Sequence, residues 1–221
     1  MNLALSQFTV ITGHYGCGKT NLAVNLALDL ARQGGRVTVV DLDIVNPYYR
    51  STDFDRLFRE NHIELIAPPY ANSNLDLPVI SAQVFSVFSK AEGYTIFDVG
   101  GDDAGAVALG MFRAHFQKVD YQMLYVINRY RYLTRTAAEA CALARDIVLA
   151  SRLEVTGVVN NSNLGRETQP GDIDASAGFA NEVCKTLGVP LICTAAMRGI
   201  SADVKADKLY PVDNFIKNVW D

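Results

Sequence analysis

The sequence predicts an α/β fold, a three-layer α/β/α arrangement around a mostly parallel sheet of about seven strands. Three observations predict it. Short apolar runs rich in β-branched residues alternate with helix-length amphipathic segments along all 221 residues. A glycine-rich stretch, Gly13-His14-Tyr15-Gly16-Cys17-Gly18-Lys19-Thr20, separates the first run from the first helical segment. Polar residues, Asp41, Asp98 and Asn160, close three of the later runs, where an open parallel sheet gathers its ligand.

Taken in order, Phe8 to Thr12 is β-branched and aromatic, hence a buried strand. From Asn21 to Arg32, Leu22, Leu26 and Leu30 share one helical face, and Gly34-Gly35 stops the helix. Arg36 to Val40 is a second strand ending on Asp41-Leu42-Asp43, followed by a loop carrying Tyr48, Tyr49 and Arg50. Ser51-Thr52-Asp53 can cap a short helix to about Glu60, and Ile63 to Ile66 is a short strand. The prolines of residues 67–78 deny that segment ladder hydrogen bonds, so it is expected as a surface loop able to cover a small substrate. A helix is expected from about Val79 to Lys90, a strand over Tyr94 to Phe97, and a helix from Ala104 to about Phe116. Tyr121 to Ile127 reads as a central strand, Thr134 to about Ser151 as a long helix, and Val155 to Val159 as a strand. Asp172 or Asp174 caps a helix ending near Gly188, Pro190 to Cys193 is the last clear strand, and two short helices follow, from about Ser201 and after Pro211. No linker, repeat or low-complexity tract divides the chain, so residues 1–221 are expected to form one domain.

Composition narrows the function classes. A hydrophobic fraction of 49% with 20% charged residues is that of a water-soluble globular protein. The net charge of −4 provides no general attraction for nucleic acid or anionic membrane. Cysteines at 17, 141, 184 and 193 form no CxxC or CxC, which argues for reduced thiols and against zinc or metal transfer. The N-terminus lacks a basic n-region, and the C-terminal stretch from Pro211 has one Lys against two Asp, without the polybasic face of a membrane-binding helix. Phe215, Val219 and Trp220 are expected to pack on the domain instead, and the cytoplasm is the expected location.

The glycine-rich stretch fits G-x-x-x-x-G-K-[ST], a phosphate-binding loop. Its glycines let backbone N–H groups close around phosphate oxygens, Lys19 brings a mobile positive charge, and the Thr20 hydroxyl can ligate Mg²⁺. The helix that follows adds the partial positive charge of its N-terminus. Asp98 follows apolar strand residues, the setting of a carboxylate that holds Mg²⁺. Gly100 and Gly101 let the backbone approach a γ-phosphate and change conformation. Val99 stands where motor and helicase ATPases carry a catalytic Glu, which disfavours that class. Asp41 and Asp43 point the same way in an extended chain and would repel without a cation between them. Asn160 and Asn161 could meet an adenine edge, and equally could serve a turn. Asn160-Asn161-Ser162-Asn163 lacks the Lys and Asp of a guanine-gripping N-K-x-D, so ATP is favoured over GTP. Cys17, beside a helix N-terminus and Lys19, is expected to favour its thiolate, with oxidation blocking the loop.

With these motifs in this order, the chain resembles the MinD/ParA-type P-loop NTPases, a group that also contains CobQ/CobB-like enzymes and nickel-insertion ATPases. The resemblance runs from Phe8 to about Met197. It implies that Gly13 through Asn21, with Gly101 and the Asn160-Asn161 pair, line a nucleotide. It implies that Thr20, Asp41 and Asp98 hold Mg²⁺, and that Lys19 and Asp43 are catalytic, Asp43 by orienting the attacking water. It further implies a homodimer that forms on ATP and separates after hydrolysis. One position departs from the pattern K-G-G-x-G-K-T: His14 stands where the first Lys reaches across such a dimer. Arg50 and Arg113 are candidates to supply that charge. The function expected is an ATP- and Mg²⁺-dependent switch acting on a protein partner. The alternatives are an ATP-dependent metabolic enzyme, of amide synthase or kinase type, and a module that binds nucleotide without turnover.

Overall fold

In the computed structural model, residues 3–43, 52–67, 82–90, 92–101 and 103–216 are described. At the centre lies β1 (Phe8–Gly13), all six residues of which are buried. It pairs in parallel with β4 (Tyr94–Val99) on one side and β5 (Tyr121–Ile127) on the other. Beyond β4 come β2 (Val37–Leu42) and β3 (Ile63–Ile66). Beyond β5 come β6 (Gly157–Asn160), β7 (Leu191–Met197) and β8 (Leu209–Val212). Every pairing is parallel, and the order is β3-β2-β4-β1-β5-β6-β7-β8. Among the described residues the sheet has eight strands, against about seven expected. Progression reverses direction at β1, so the crevice at its C-terminal end is where such a sheet receives a ligand.

Alternation along β1 divides the core. Phe8 and Val10 face one layer and Ile11 the other. The Ile11 side is covered by α1 (Lys19–Arg32) and α2 (Thr52–Glu60), with Leu22, Leu26, Leu30, Phe54 and Phe58 buried. The Val10 side is covered by α3 (Ala82–Ser86), α4 (Asp103–Gly110), α5 (Arg113–Phe116), α6 (Ala137–Ser151) and α8 (Ala177–Leu187), α8 being preceded by α7 (Pro170–Ala175). Thr136 caps α6 through a capping box with Glu139, which starts that helix later than the expected Thr134.

Three further expectations are revised. The helix expected over 104–116 breaks at Gly110, where a Cβ would stand 3.0 Å from the Ala150 carbonyl oxygen of α6. Where a helix is expected after Pro211, Leu209–Val212 form a strand, β8, and residues 213–216 are not helical. Tyr210 and Val212 of β8 turn inward, and Pro211 is tolerated because β8 is the edge strand. A short 3₁₀ turn, Ser201–Asp203, stands in place of the helix expected from Ser201. The loop bearing Tyr48, Tyr49 and Arg50, most of residues 67–78, and Val219 and Trp220 lie outside the described residues.

Candidate functional site

The glycine loop closes β1 onto α1. Gly13 has φ +147°, and a Cβ there would stand 2.3 Å from the Val126 carbonyl oxygen of β5. Gly16 and Gly18 adopt φ +71° and +89°, the left-handed region open to glycine. Gly18 is the N-cap of α1 and supplies no side-chain acceptor, so no cap competes for the amides of the first turn. Lys19 is 7% exposed, and its Nζ donates to the His14 carbonyl oxygen at 3.1 Å. Tyr15, Gly16, Gly18, Lys19, Thr20 and Asn21 line a cavity of about 580 Å³ together with Asp41, Asp43, Asp98 and Asn161. That is room for a nucleotide.

Strand register explains the acids. Asp41 on β2 is the direct parallel partner of Asp98 on β4, so both carboxylates emerge on one face. Both are buried. Burial first, then the Asp41 charge, pushes the Asp98 carboxyl up to about 7, against a hydrogen bond with Thr20 and the Lys19 charge that favour ionisation. Its Oδ1 is buried without a hydrogen-bond partner. Asp43 folds back, its backbone N–H donating to Asp41 Oδ1 at 2.9 Å. Among the described residues, no group of three His, Cys, Asp or Glu is placed to hold a metal ion unaided. Mg²⁺ needs no such cage, since it takes one or two carboxylates and fills its octahedron with water and phosphate oxygens. An orphaned buried carboxylate oxygen, a like-charged neighbour and the Thr20 hydroxyl suit it. Thr20, Asp41 and Asp98 would hold it, and it would supply charge neutralisation at the phosphates.

The β4–α4 turn presses on the loop. A Cβ on Gly101 would fall 2.5 Å from the Tyr15 backbone nitrogen and 2.8 Å from Lys19 Nζ. The turn thus touches the phosphate loop through bare backbone.

The two asparagines separate. Asn161 faces the cavity, and its Nδ2 donates to the Cys17 carbonyl oxygen at 2.7 Å, pinning the loop from β6. Asn160, at 0% exposure, turns away. Its Nδ2 donates to Ser176 Oγ, and its Oδ1 accepts from the Ser162 backbone and hydroxyl. The structure does not bring Asn160 to the cavity, because consecutive residues at a strand end face opposite sides. Asn21 donates to the Asp213 carbonyl oxygen and accepts from the Phe215 N–H, tying the first turn of α1 to the chain after β8.

Two side chains behave otherwise than the sequence suggests. Cys17 is 1% exposed, and desolvation raises its pKa beyond what Lys19 restores. It is a buried thiol rather than a reactive thiolate. His14 has its pKa lowered, by burial and by the Lys19 charge, with a Tyr132 backbone hydrogen bond acting the other way. The imidazole is therefore neutral at pH 7. Arg113 is not among the cavity-lining residues, and Arg50 lies outside the described residues. Among the described residues, the cavity's arginines are Arg131, from the loop after β5, and Arg166, from the 3₁₀ turn Gly165–Glu167. Sequence reasoning missed both, for each sits in a polar loop with no motif around it.

Comparison with known proteins agrees with this geometry. The model of the CbiA family, described as the CobQ/CobB/MinD/ParA nucleotide-binding domain, matches residues 8–175. No curated protein matches the sequence. Similar solved structures include the signal recognition particle 54 kDa protein from Aeropyrum pernix K1 in complex with GDP. It is 16% identical with a TM-score of 0.59, over 88% of this chain and 42% of that one. FtsY from Mycoplasma mycoides is 16% identical with a TM-score of 0.57, over 88% and 62%. Chloroplast FtsY from Physcomitrella patens is 18% identical with a TM-score of 0.60, over 87% and 60%. The chain thus spans from about two fifths to about three fifths of the length of these proteins, and at such identity the likeness is one of fold. With its phosphate loop, its strand-end acids and strands β1 to β6 of the sheet inside the matched stretch, the chain belongs to the CobQ/CobB/MinD/ParA nucleotide-binding domain family.

Proposed function

We propose that this protein is a Mg²⁺-dependent ATPase of the cytoplasm, working as a nucleotide switch for a protein partner. The carrying observation is the buried Asp98 carboxyl beside Thr20 of the phosphate loop, paired in register with Asp41 and with its Oδ1 left without a hydrogen-bond partner. That arrangement costs stability unless a divalent cation joins it. Lys19 would hold the outer phosphates, and Asp43, at the cavity wall, would orient the attacking water. Adenine is preferred because the β6 loop carries no N-K-x-D, and the Asn161 amide is engaged with the loop backbone. GDP in the A. pernix protein belongs to that protein. Contact between Gly101 and the loop supports switching, since a γ-phosphate at Lys19 must meet that backbone.

One observation favours the enzyme reading as the second. The cavity wall also includes the apolar side chains of Val24, Val39, Phe54, Phe58 and Leu65, against which a small substrate could pack.

Titration with fluorescent ATP and GTP, followed by phosphate release, tests the proposal. ATP is expected to bind only with Mg²⁺ at full strength and to outcompete GTP. Lys19→Ala is expected to weaken it roughly 10- to 100-fold, the scale of a charge-assisted phosphate contact. Asp43→Ala should lower turnover by about 10² or more while affinity changes little. Turnover that requires a metabolite would favour the enzyme reading. Binding without any turnover would favour a nucleotide-holding module.

A further inference from the structure

Lys19 is the only permanent cation within the phosphate loop, and position 14 holds a neutral imidazole. A Mg²⁺–triphosphate still carries net negative charge, and that charge spreads over the γ-phosphoryl oxygens as the terminal bond breaks. A site with one loop cation is short of positive charge at its mouth.

Arg131 lies there. Its Nε, Cζ and Cδ stand 3.6, 3.7 and 3.9 Å from where a Cβ on Gly16 would be, so the guanidinium rests against the exposed backbone of the loop. It lines the same cavity as Lys19 and Thr20. None of the ion pairs among the described residues uses it.

The segment that presents Arg131 is built to hold it. Its backbone N–H donates to the Asn128 carbonyl oxygen at 3.2 Å. Asn128, 1% exposed, binds Asn163 of the β6 loop through both amide atoms. The Thr134 hydroxyl donates to the same Asn128 carbonyl at 3.0 Å. Leu133 takes φ +65°, an uncommon conformation for a branched side chain, and the neighbouring contacts sustain it. His14 lies beside this segment, near the Tyr132 backbone. Arg129 makes a contrast two residues earlier. Its guanidinium donates to the Ala175 carbonyl oxygen and lies over the Tyr130 ring, committed to structure. Arg131 alone of the two is turned to the loop.

We propose that Arg131 is a phosphate-contacting, triphosphate-selective residue that supplies, from within the same chain, a second cation beside Lys19 at the loop. Its planar fork suits two oxygens of one phosphoryl group, which a lysine cannot match. The inference rests on the nucleotide reading above.

The test measures affinities of wild type, Arg131→Ala, Arg131→Lys and Lys19→Ala for ADP, the β,γ-imido analogue of ATP, and ADP with aluminium fluoride, all with Mg²⁺. Arg131→Ala should hold ADP within about threefold of wild type but lose roughly tenfold or more for the two γ-site ligands. Arg131→Lys should recover part of that loss, and Lys19→Ala should weaken all three ligands. Arg131 is exposed, and thermal melting checks that the variants fold. If Arg131→Ala kept the wild-type ratio of triphosphate to diphosphate affinity while Lys19→Ala lost binding, the role of Arg131 would be refuted and the nucleotide reading would stand. If wild type bound none of the three, both would fall together.

Discussion

Asp98 shows how much one carboxylate reveals. Its neighbours on β2 and β4 are apolar, its register partner is another acid, and burial works against ionisation. In the unfolded chain such a carboxyl titrates near its ordinary value of 3.8, and in the folded chain near 7. The folded state therefore binds more protons between those values, and the metal-free protein loses stability as pH rises through that window. The loss is complete above about pH 7. Asp98→Asn keeps an acceptor for Thr20 and removes the buried charge. In EDTA at pH 8 the variant is expected to be more stable than wild type by about 2 kcal/mol, and near pH 4 the difference should vanish. Magnesium and ATP together should raise the melting temperature of wild type and leave the variant unmoved. A variant less stable than wild type in EDTA at pH 8 would mean that the charge is already compensated. The residue types at 41, 43 and 98 were legible in the sequence, because acids at the ends of apolar runs are conspicuous. The 41–98 register was not, since it depends on β2 lying beside β4.

At the scale of elements, β1, the loop and α1 were legible in full. Helix period, glycine placement and motif agree there, and nothing tertiary overrides them. The β4–α4 turn was legible only as two glycines. The structure adds their target, since Gly101 meets the Tyr15 backbone and Lys19 Nζ at distances no side chain allows. Gly101→Ala must push the turn from the loop. We expect a loss of about 1 to 3 kcal/mol in stability and at least a tenfold fall in affinity for the triphosphate analogue, read by melting and by titration. Wild-type affinity in this variant would show that the contact is incidental. Other elements escaped the sequence for identifiable reasons. β8 is four residues long and contains Pro211, so period and propensity both speak against it, and only its place at the sheet edge permits it. Asn160 and Asn161 look equivalent in the chain, yet the alternation of β6 sends one into the core and the other to the loop. Arg131 had no local signal at all, because its role comes from β5 standing beside β1.

Across the whole molecule, distant parts of the chain converge on α1. The segment after β8 closes on Asn21 and Asn25, with Asp213 and Phe215 as partners, and its Asn214 and Ile216 form a wall of the cavity. The phosphate loop is thus abutted from β5 and the segment after it and pinned from β6, the helix that follows it is tied to the segment after β8, and the loop's exposed side carries Tyr15 and Gly16. That side is unusually apolar for a charged site. Tyr15, Tyr132, Leu133 and Leu164 are 60%, 73%, 53% and 45% exposed, and each either lines the cavity or adjoins a residue near the phosphate loop. Among the described residues, no helix is long and apolar enough to cross a membrane, so this rim is not explained by such a span. The switch proposed above would have to display its nucleotide state on some face, and this rim, which adjoins the cavity, is the face the proposal assigns to it. With the non-hydrolysable analogue and Mg²⁺ we expect the protein to self-associate across the rim, doubling its mass by light scattering, and to return to monomer with ADP. Tyr132→Ser combined with Leu133→Asn should prevent that doubling while leaving analogue affinity within about threefold, because neither side chain lines the cavity and the substitutions add no charge beside Arg131. A mass unchanged by nucleotide in the wild type would exclude self-association and assign the rim to a different protein. A dimer that persists in the double variant would move the interface elsewhere on the surface.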